Sequence, residues 1–283
     1  MAGILYLVAT PIGNLEDMTF RAVRILKEVD LIAAEDTRNS IKLLNHFDIK
    51  KQMTSYHEFN RFDKAEVLID HLEAGENIAL ITDAGTPGIS DPGEVLVSMC
   101  VDRGITVVPV PGAVAGINAL IASGQSTGKF CFEGFISQDK KERKETLERI
   151  SREERTMIIY EAPHRLTKTL EVLAETLGLQ RSLTICKELT KKHETFIKTT
   201  LGEALDIYKN EEPRGEYVLI IAGKPEEEIQ QEKNALWQDI TVEEHLQKYL
   251  DEGMSKKDAA KQVAADRGLP KRDVYAISIK MGE

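Results

Sequence analysis

Four loops marked by glycine and proline stand where an apolar run ends, which is where an α/β protein binds its ligands. They are Thr10–Asn14 (TPIGN), Thr82–Gly93 (TDAGTPGISDPG), Pro109–Ala113 (PVPGA) and Tyr160–Arg165 (YEAPHR). Glycine lets the backbone approach a ligand closely and proline fixes the loop shape. In an open α/β sheet the ligand crevice lies outside the carboxyl ends of the strands. Any one of these loops taken alone reads as an ordinary connection. The second holds three glycines, two prolines and two aspartates, more than a short βα turn needs. The first reads ATPIGN rather than GxGxxG, so the dinucleotide pyrophosphate fingerprint is missing. GxxxxGK[ST], HExxH and GxSxG are absent as well. A cofactor that is not rich in phosphate fits this loop set better.

Charged side chains cluster beside the loops. AEDTR brings Glu35, Asp36 and Arg38 together, YEAPHR brings Glu161, His164 and Arg165, and CKELTKKHETF brings Lys187 and Glu188 followed by Lys191, Lys192 and His193. A carboxylate beside a cation can accept a proton, orient a hydroxyl, or fasten a loop as an ion pair. His164 reads as a structural hydrogen-bonder rather than a base. Tyr56, His57 and Phe59 stand near a strand end, where they could stack on bases or be partly buried.

The elements that carry these residues follow from periodicity. Apolar runs Ile4–Ala9, Asp30–Ala34, Asn77–Thr82 and Thr106–Pro109 read as strands. Thr19–Glu28, Asn60–Glu73, Glu94–Arg103 and Ala113–Ser123 read as helices. Their alternation predicts βαβ units and a largely parallel sheet. From Phe130 a second set begins: FCFEGF, Thr156–Tyr160, a helix over Leu166–Leu177, then strands at Leu183–Lys187, Thr195–Thr199 and Tyr217–Ala222. Strands so closely spaced late in the chain predict a mixed sheet. The boundary between the sets falls near Gly112–Gly124. Lys140–Arg155 carries seven basic and five acidic residues at helical spacing, and reads as a solvated helix or an RNA-facing edge. Lys224–Lys233 is acidic and reads as a linker. Thr241 and Ser255 open short helices, and Gly268 with Pro270 punctuates before a final helix to Lys280. The pair reads as a helix-turn-helix appendage or a small helical cap.

At 283 residues and 42% hydrophobic, the chain can bury a sizeable, mainly aliphatic core. Its three cysteines, Cys100, Cys131 and Cys186, are scattered, which disfavours a zinc site or a disulfide framework and suits a reducing cytosol. No apolar run approaches the roughly 20 residues of a spanning helix. A net charge of −10 weighs mildly against a nucleic-acid partner, yet Met254–Lys280 carries seven Lys/Arg against three Asp, a local excess of +4.

LVATPIGNLEDMTFRAVRILKEVDLIAAEDTR, ALITDAGTPGISDPG, VPVPGAVAGINALIASG, YEAPHR and GEYVLIIAG resemble the tetrapyrrole methylase superfamily. Within it they resemble the bacterial ribosomal RNA small subunit methyltransferase I type, which 2′-O-methylates a decoding-centre cytidine. The resemblance runs from about Ile4 to Gly223, and AEDTR, TDAGTPGISDPG and YEAPHR are specific to the rRNA branch. Relatives often have Gly-Asp-Pro where this chain reads Gly85-Thr86-Pro87, which removes a carboxylate some of them aim at the cofactor. The resemblance implies an α/β fold: an N-terminal domain over 1–115, a second over 116–223, and a cleft between them that takes S-adenosylmethionine. Residues 224–283 would form the acidic linker and a small helical appendage that is a candidate for RNA contact. It further implies a homodimer acting on the small ribosomal subunit, and the scattered cysteines and the lack of a spanning apolar run add the expectation of a cytoplasmic protein with no metal and no membrane association.

By position, Gly85, Thr86, Ile89, Val114 and Ala115 would line the cofactor pocket, with Ala162 and Ala222 as looser matches. A ribose hydroxyl is a weak nucleophile, so the expected acceptor is Asp36 or Glu188, with Arg38, Arg165 and Lys187 on RNA phosphates. Competing readings are methylation of a tetrapyrrole or other small molecule, and a non-catalytic RNA-binding ribosome-assembly factor. A dinucleotide oxidoreductase is a distant further reading, because its phosphate loop is missing.

Overall fold

The computed structural model describes residues 2–235, 237 and 239–281. The first elements are β1 Ile4–Val8, α1 Phe20–Glu28, β2 Leu31–Ala34, α2 Thr37–His46, β3 Gln52–Ser55, α3 Arg61–Glu73, β4 Ile78–Ile81, α4 Gly93–Asp102, β5 Thr106–Val110 and α5 Ala115–Ala122. The strands form one five-stranded sheet in the order β3-β2-β4-β1-β5. Every pairing in it is parallel. A parallel sheet needs both faces covered, so its strands are apolar throughout rather than alternating. β2 (LIAA) and β4 (IALI) are buried at every position. Leu31, Ala33, Ile78 and Leu80 pack against α3 and α4 through Leu68, Leu72, Leu96 and Cys100. Ile32, Ala34, Ala79 and Ile81 meet Ala22, Ile25, Leu26 and Leu44 of α1 and α2 on the other face.

The second set is β6 Phe130–Phe135, α6 Lys140–Ile150, β7 Thr156–Glu161, α7 Leu166–Leu177, β8 Ser182–Lys187, β9 Thr195–Thr200, α8 Leu201–Asn210 and β10 Tyr217–Ile221. Its sheet order is β6-β7-β10-β8-β9. Only β6 and β7 run parallel. The strand period of two sorts β7 cleanly. Met157 and Ile159 face the core built with Leu170, Leu173, Leu201 and Ala204 of α7 and α8. Ile158 and Tyr160 face Ala119 and Leu120 of α5. Both sheets belong to one compact unit, residues 1–150 and 156–221.

A second unit comprises residues 151–155 and 222–283. It contains α9 Glu226–Ala235, α10 Val242–Asp251, α11 Lys256–Arg267 and α12 Lys271–Lys280. Thr241 and Glu244 form a reciprocal capping box on α10, and Ser255 caps α11 by accepting from the Asp258 N–H. Gly268 ends α11 at φ +62°, a left-handed conformation in which glycine carries no Cβ penalty. A small core of Leu246, Ala259, Ala260, Val263 and Val274 holds α10 to α12 together. His245 is fully buried there, with Trp237 stacked on its ring at 3.7 Å.

The strand β3, the helices α2, α6 and α8, and the acidic stretch differ from the periodicity reading. α2 and α8 are missing from it, because TRNSIKLLNH is dominated by polar residues and LGEALDIYKN follows a strand with no breaker between them. The acidic stretch read as a linker is helical over Glu226–Ala235. The Lys140–Arg155 helix ends at Ile150, and Arg155 turns back to pair with Glu153.

Candidate cofactor cleft

The loops after β1, β4 and β5 are cross-linked into one rim. Thr10 and Gly85 exchange backbone hydrogen bonds of 2.8 and 3.2 Å. The Thr10 hydroxyl donates to the Thr82 carbonyl at 3.1 Å, and Thr86 Oγ1 donates to the Ala113 carbonyl at 3.0 Å. Within the 82–93 loop, the Asp91 carboxylate accepts from the N–H groups of Gly88, Ile89 and Gly93 at 2.8 to 3.0 Å. Tyr56, 1% exposed, donates its hydroxyl to the Pro92 carbonyl at 2.9 Å and ties the end of that loop to the sheet. Of the three aromatic residues expected to stack or be partly buried, Tyr56 is fully buried, His57 is half-buried and Phe59 is 97% exposed.

The rim opens on a cavity of about 520 Å³. One wall is Ile12, Ala84, Gly85, Thr86, Ile89, Val114 and Ala115. The other comes from the ends of β6, β7 and the start of β10, chiefly Phe135, Tyr160, Glu161, Ala162 and Tyr217. Tyr160 joins the walls: its hydroxyl accepts the Gly116 N–H at 2.9 Å, and its ring stands edge-on to Phe132 and Phe135 at 5.0 and 5.8 Å. Burial raises the Tyr160 pKa, so its hydroxyl stays protonated. Gly85 sits at φ +86°, where a Cβ would stand 3.3 Å from Ile12 Cγ2 and 3.6 Å from the Ala113 oxygen. A side chain there would be strained and crowded against Ile12 and Ala113.

Glu161 points to the opposite face of β7 from Tyr160. Its fully covered carboxylate accepts from Thr169 Oγ1 at 2.5 Å and from the Ala162 N–H at 2.8 Å, and lies 3.3 Å from Arg165 Nε. Arg165 also donates to the Ile136 carbonyl. The YEAPHR segment is thus pinned from behind while its other side lines the cleft.

The expected cofactor positions Gly85, Thr86, Ile89, Val114, Ala115 and Ala162 all border this cavity, and Ala222 does not. β10 runs antiparallel to β7 and reaches the cleft with Glu216, Tyr217 and Val218 at its start, while Ala222 follows its other end. Ile12, Phe135, Tyr160 and Tyr217 line the cleft without having been singled out. Their signal was proximity to the marked loops, and no spacing rule distinguishes such residues from core.

The expected acceptors lie elsewhere. Asp36 caps α2, taking the Arg38 N–H at 2.8 Å, and chelates the Arg38 guanidinium at 2.9 and 3.1 Å. That guanidinium lowers the Asp36 pKa to about 2, which makes it a weak base. Glu188, at φ +53°, accepts from the Lys191 ammonium and the Glu216 N–H, both at 2.9 Å. Lys191 in turn holds its carboxyl below the usual range. Both carboxylates fasten loops. Glu35 differs: burial raises its pKa, reinforced by Asp83, Asp91 and Asp36. Its carboxylate receives the Asp83 N–H at 3.3 Å, one residue before the cleft wall begins.

Of the expected phosphate ligands, Arg38 is exposed but paired with Asp36, and Arg165 is committed to Glu161 and Ile136. The Lys187 ammonium lies 5.9 Å from the Tyr217 ring centroid. His164 is exposed and, among the described residues, its side chain makes no hydrogen bond, contrary to the structural role expected of it.

Two packed sheets with a glycine-rimmed apolar cleft at their loop ends define a small-ligand-binding α/β protein. Residues 4–205 match the family model for tetrapyrrole (corrin/porphyrin) methylases, and the chain belongs to that family. It is 48% identical over 279 residues to the ribosomal RNA small subunit methyltransferase I of Synechocystis sp., covering 99% of this chain and 98% of that one. With the protein of the same name from Halalkalibacterium halodurans it shares 50% identity over 275 residues, 97% and 94% of the two chains. Among solved structures, diphthine synthase superposes with a TM-score of 0.60 at 12% identity, covering 78% of this chain and 90% of that one. Uroporphyrin-III C-methyltransferase from Thermus thermophilus, complexed with S-adenosyl homocysteine, gives 0.55 at 19% identity, over 77% and 97%. These two likenesses concern the fold. Among the described residues no helix is long and apolar enough to cross a membrane.

Proposed function

We propose that this protein is an S-adenosylmethionine-dependent methyltransferase that methylates the ribose 2′-hydroxyl of a cytidine in small-subunit ribosomal RNA, as a cytoplasmic homodimer. The observation that carries the reading is the apolar, glycine-rimmed cleft, in a chain about half identical over nearly its whole length to proteins named for small-subunit rRNA methylation. The cleft fits the cofactor: its walls are mainly apolar with few polar groups, and its Gly85 cradle is a surface that a Cβ would fill. Gly85, Thr86, Ile89, Val114, Ala115 and Ala162 would hold S-adenosylmethionine, which supplies an activated methyl group on its sulfonium.

The chain's own contribution is position and solvent exclusion. Thr10, Thr86 and Asp91 hold the rim rigid, so no loop ordering is left to pay for when substrate arrives. Tyr160 and Phe135 wall the cleft from water. Asp36 acts through α2 and Arg38 rather than as the proton acceptor, and Glu188 with Lys191 holds the Glu216 wall. Glu35, whose pKa burial raises and whose carboxylate receives the Asp83 N–H beside the cleft wall, is the acceptor best placed for a ribose hydroxyl. The helical unit over 222–283 adds the cations Lys256, Lys257, Lys261, Lys271 and Arg272 for the RNA backbone.

The test is incubation of the protein with labelled S-adenosylmethionine and small ribosomal subunits from cells lacking the gene, followed by nucleotide mapping. A label on one cytidine ribose is expected. Label on a small molecule, or cofactor binding with no transfer to RNA, would overturn the reading.

A further inference from the structure

Behind the YEAPHR segment lies a second cavity, about 260 Å³, bordered by Ser137, Gln138, Arg143, His164, Lys168 and Thr169, with Arg165 at its wall. Three permanent cations and an imidazole border it, and no carboxylate does. Arg165 is already neutralised by Glu161, and the Ser137 hydroxyl is turned toward Glu142 at 2.7 Å. Among the described residues, the side chains of Arg143 and Lys168 have no hydrogen-bond or ion-pair partner. Three other cations of this unit are paired: Arg38 with Asp36, Lys191 with Glu188 and Glu216, and Arg149 with Glu133. Unpaired cationic side chains converging in a concave site form an anion receptor.

Its place says which anion. His164 borders both this cavity and the cofactor cleft, so the two sites share one residue of wall. A nucleotide whose ribose enters the cleft carries a phosphodiester on either side, and a guanidinium fork suits phosphate oxygens. We infer that the Arg143–Lys168 cavity is a phosphodiester subsite that grips the RNA backbone next to the target ribose. The inference rests on the rRNA reading above. On the charged helix α6, Arg143 is half-buried in the subsite, while Lys140, Lys141 and Lys144 stay exposed.

The experiment compares the full-length protein with Arg143→Ala, Lys168→Ala and the double variant, using gene-deletion small subunits and a short RNA spanning the mapped nucleotide. The double variant is expected to bind both RNAs roughly tenfold to a hundredfold more weakly, because charge-assisted hydrogen bonds are lost. The slope of log affinity against log salt should fall by about 0.7 to 0.9 for the one phosphate released. KM for subunits should rise more than kcat falls, with S-adenosylmethionine affinity and thermal midpoint unchanged, and Arg143→Lys should restore part of the loss. An unchanged slope and affinity overturns the subsite, even with an active wild-type protein. Weaker binding to subunits but not to the short RNA would make the contact a ribosomal protein and equally overturn it. So would saturable binding of inorganic phosphate, lost in the double variant, with RNA affinity intact. Failure of the wild-type protein to methylate any RNA would instead sink the functional reading, while the salt slope still judges the subsite.

Discussion

Replacing Glu161 by Gln tests whether the cleft wall is held by a buried charge. The substitution keeps size and shape and removes only the negative charge. The wild-type carboxylate is wholly covered, receives Thr169 Oγ1 at 2.5 Å and the Ala162 N–H at 2.8 Å, and faces Arg165 Nε at 3.3 Å. Gln offers one acceptor oxygen, and its NH₂ must then face either a hydroxyl or the guanidinium. Removing one partner of a buried pair costs roughly 3–5 kcal/mol. Arg165 keeps its bond to the Ile136 carbonyl and its side chain is 22% exposed, so part of its charge is still solvated. The low end applies, about 3 kcal/mol. For a unit of this size each kcal/mol shifts the midpoint by roughly 2–4 °C, so the melt should fall by about 6–12 °C. Circular dichroism melts at pH 7 without cofactor measure it. A midpoint within about 2 °C of wild type, below one kcal/mol on that scale, would refute the claim that this ion pair pins the wall.

Further outcomes follow from the same geometry. Gly85→Arg should abolish S-adenosylmethionine binding and, because Gly85 is buried at φ +86° against Ile12 and Ala113, should also lower the melting midpoint; unchanged affinity by calorimetry would move the cofactor elsewhere. Asp36→Asn keeps an equally good N-cap, so single-turnover methyl transfer should stay within about tenfold of wild type; a loss of about 10² or more would return the acceptor role to Asp36. In the helical unit, burial depresses the His245 pKa below 6.5, with Arg267 and Lys248 acting in the same sense and Asp266 opposing. The unfolded chain therefore binds the proton more readily, so the unit is most stable above about pH 6.5 and loosens as pH falls toward the folded pKa. Amide protection factors in α10 to α12, corrected for the slower intrinsic exchange at low pH, should fall from pH 7.5 to 5.5 and lose that dependence in His245→Gln; equal protection factors at both pH values count against it.

Much of the architecture is local and was therefore readable along the chain. Fully apolar runs such as LIAA and IALI can only be central strands of a covered sheet, and their spacing with helices dictated the parallel order. Capping residues Thr241 and Ser255 marked helix starts because the cap bond spans three residues. The marked loops named one side of the cleft for the same reason: glycine and proline act through their own backbone.

What the chain could not disclose is which partner each charged group takes. Asp36, Glu188 and Arg165 carry the residue types of a catalytic site, and sequence spacing treats their neighbours as equals. Folding set Arg38 against Asp36 and Lys191 against Glu188, and it aimed Glu161 and Arg165 at each other behind the wall. A pKa depends on burial and on charges a few ångströms away, many of them distant in sequence. Glu35 meets Asp83 only because β2 and β4 are neighbours in the sheet. Arg143 and Lys168 lie 25 residues apart on two helices, and only the packing of α6 beside α7 brings them to one cavity. Residue type settles what a side chain can do, and tertiary structure, by choosing its neighbours, settles whether it is free to do it.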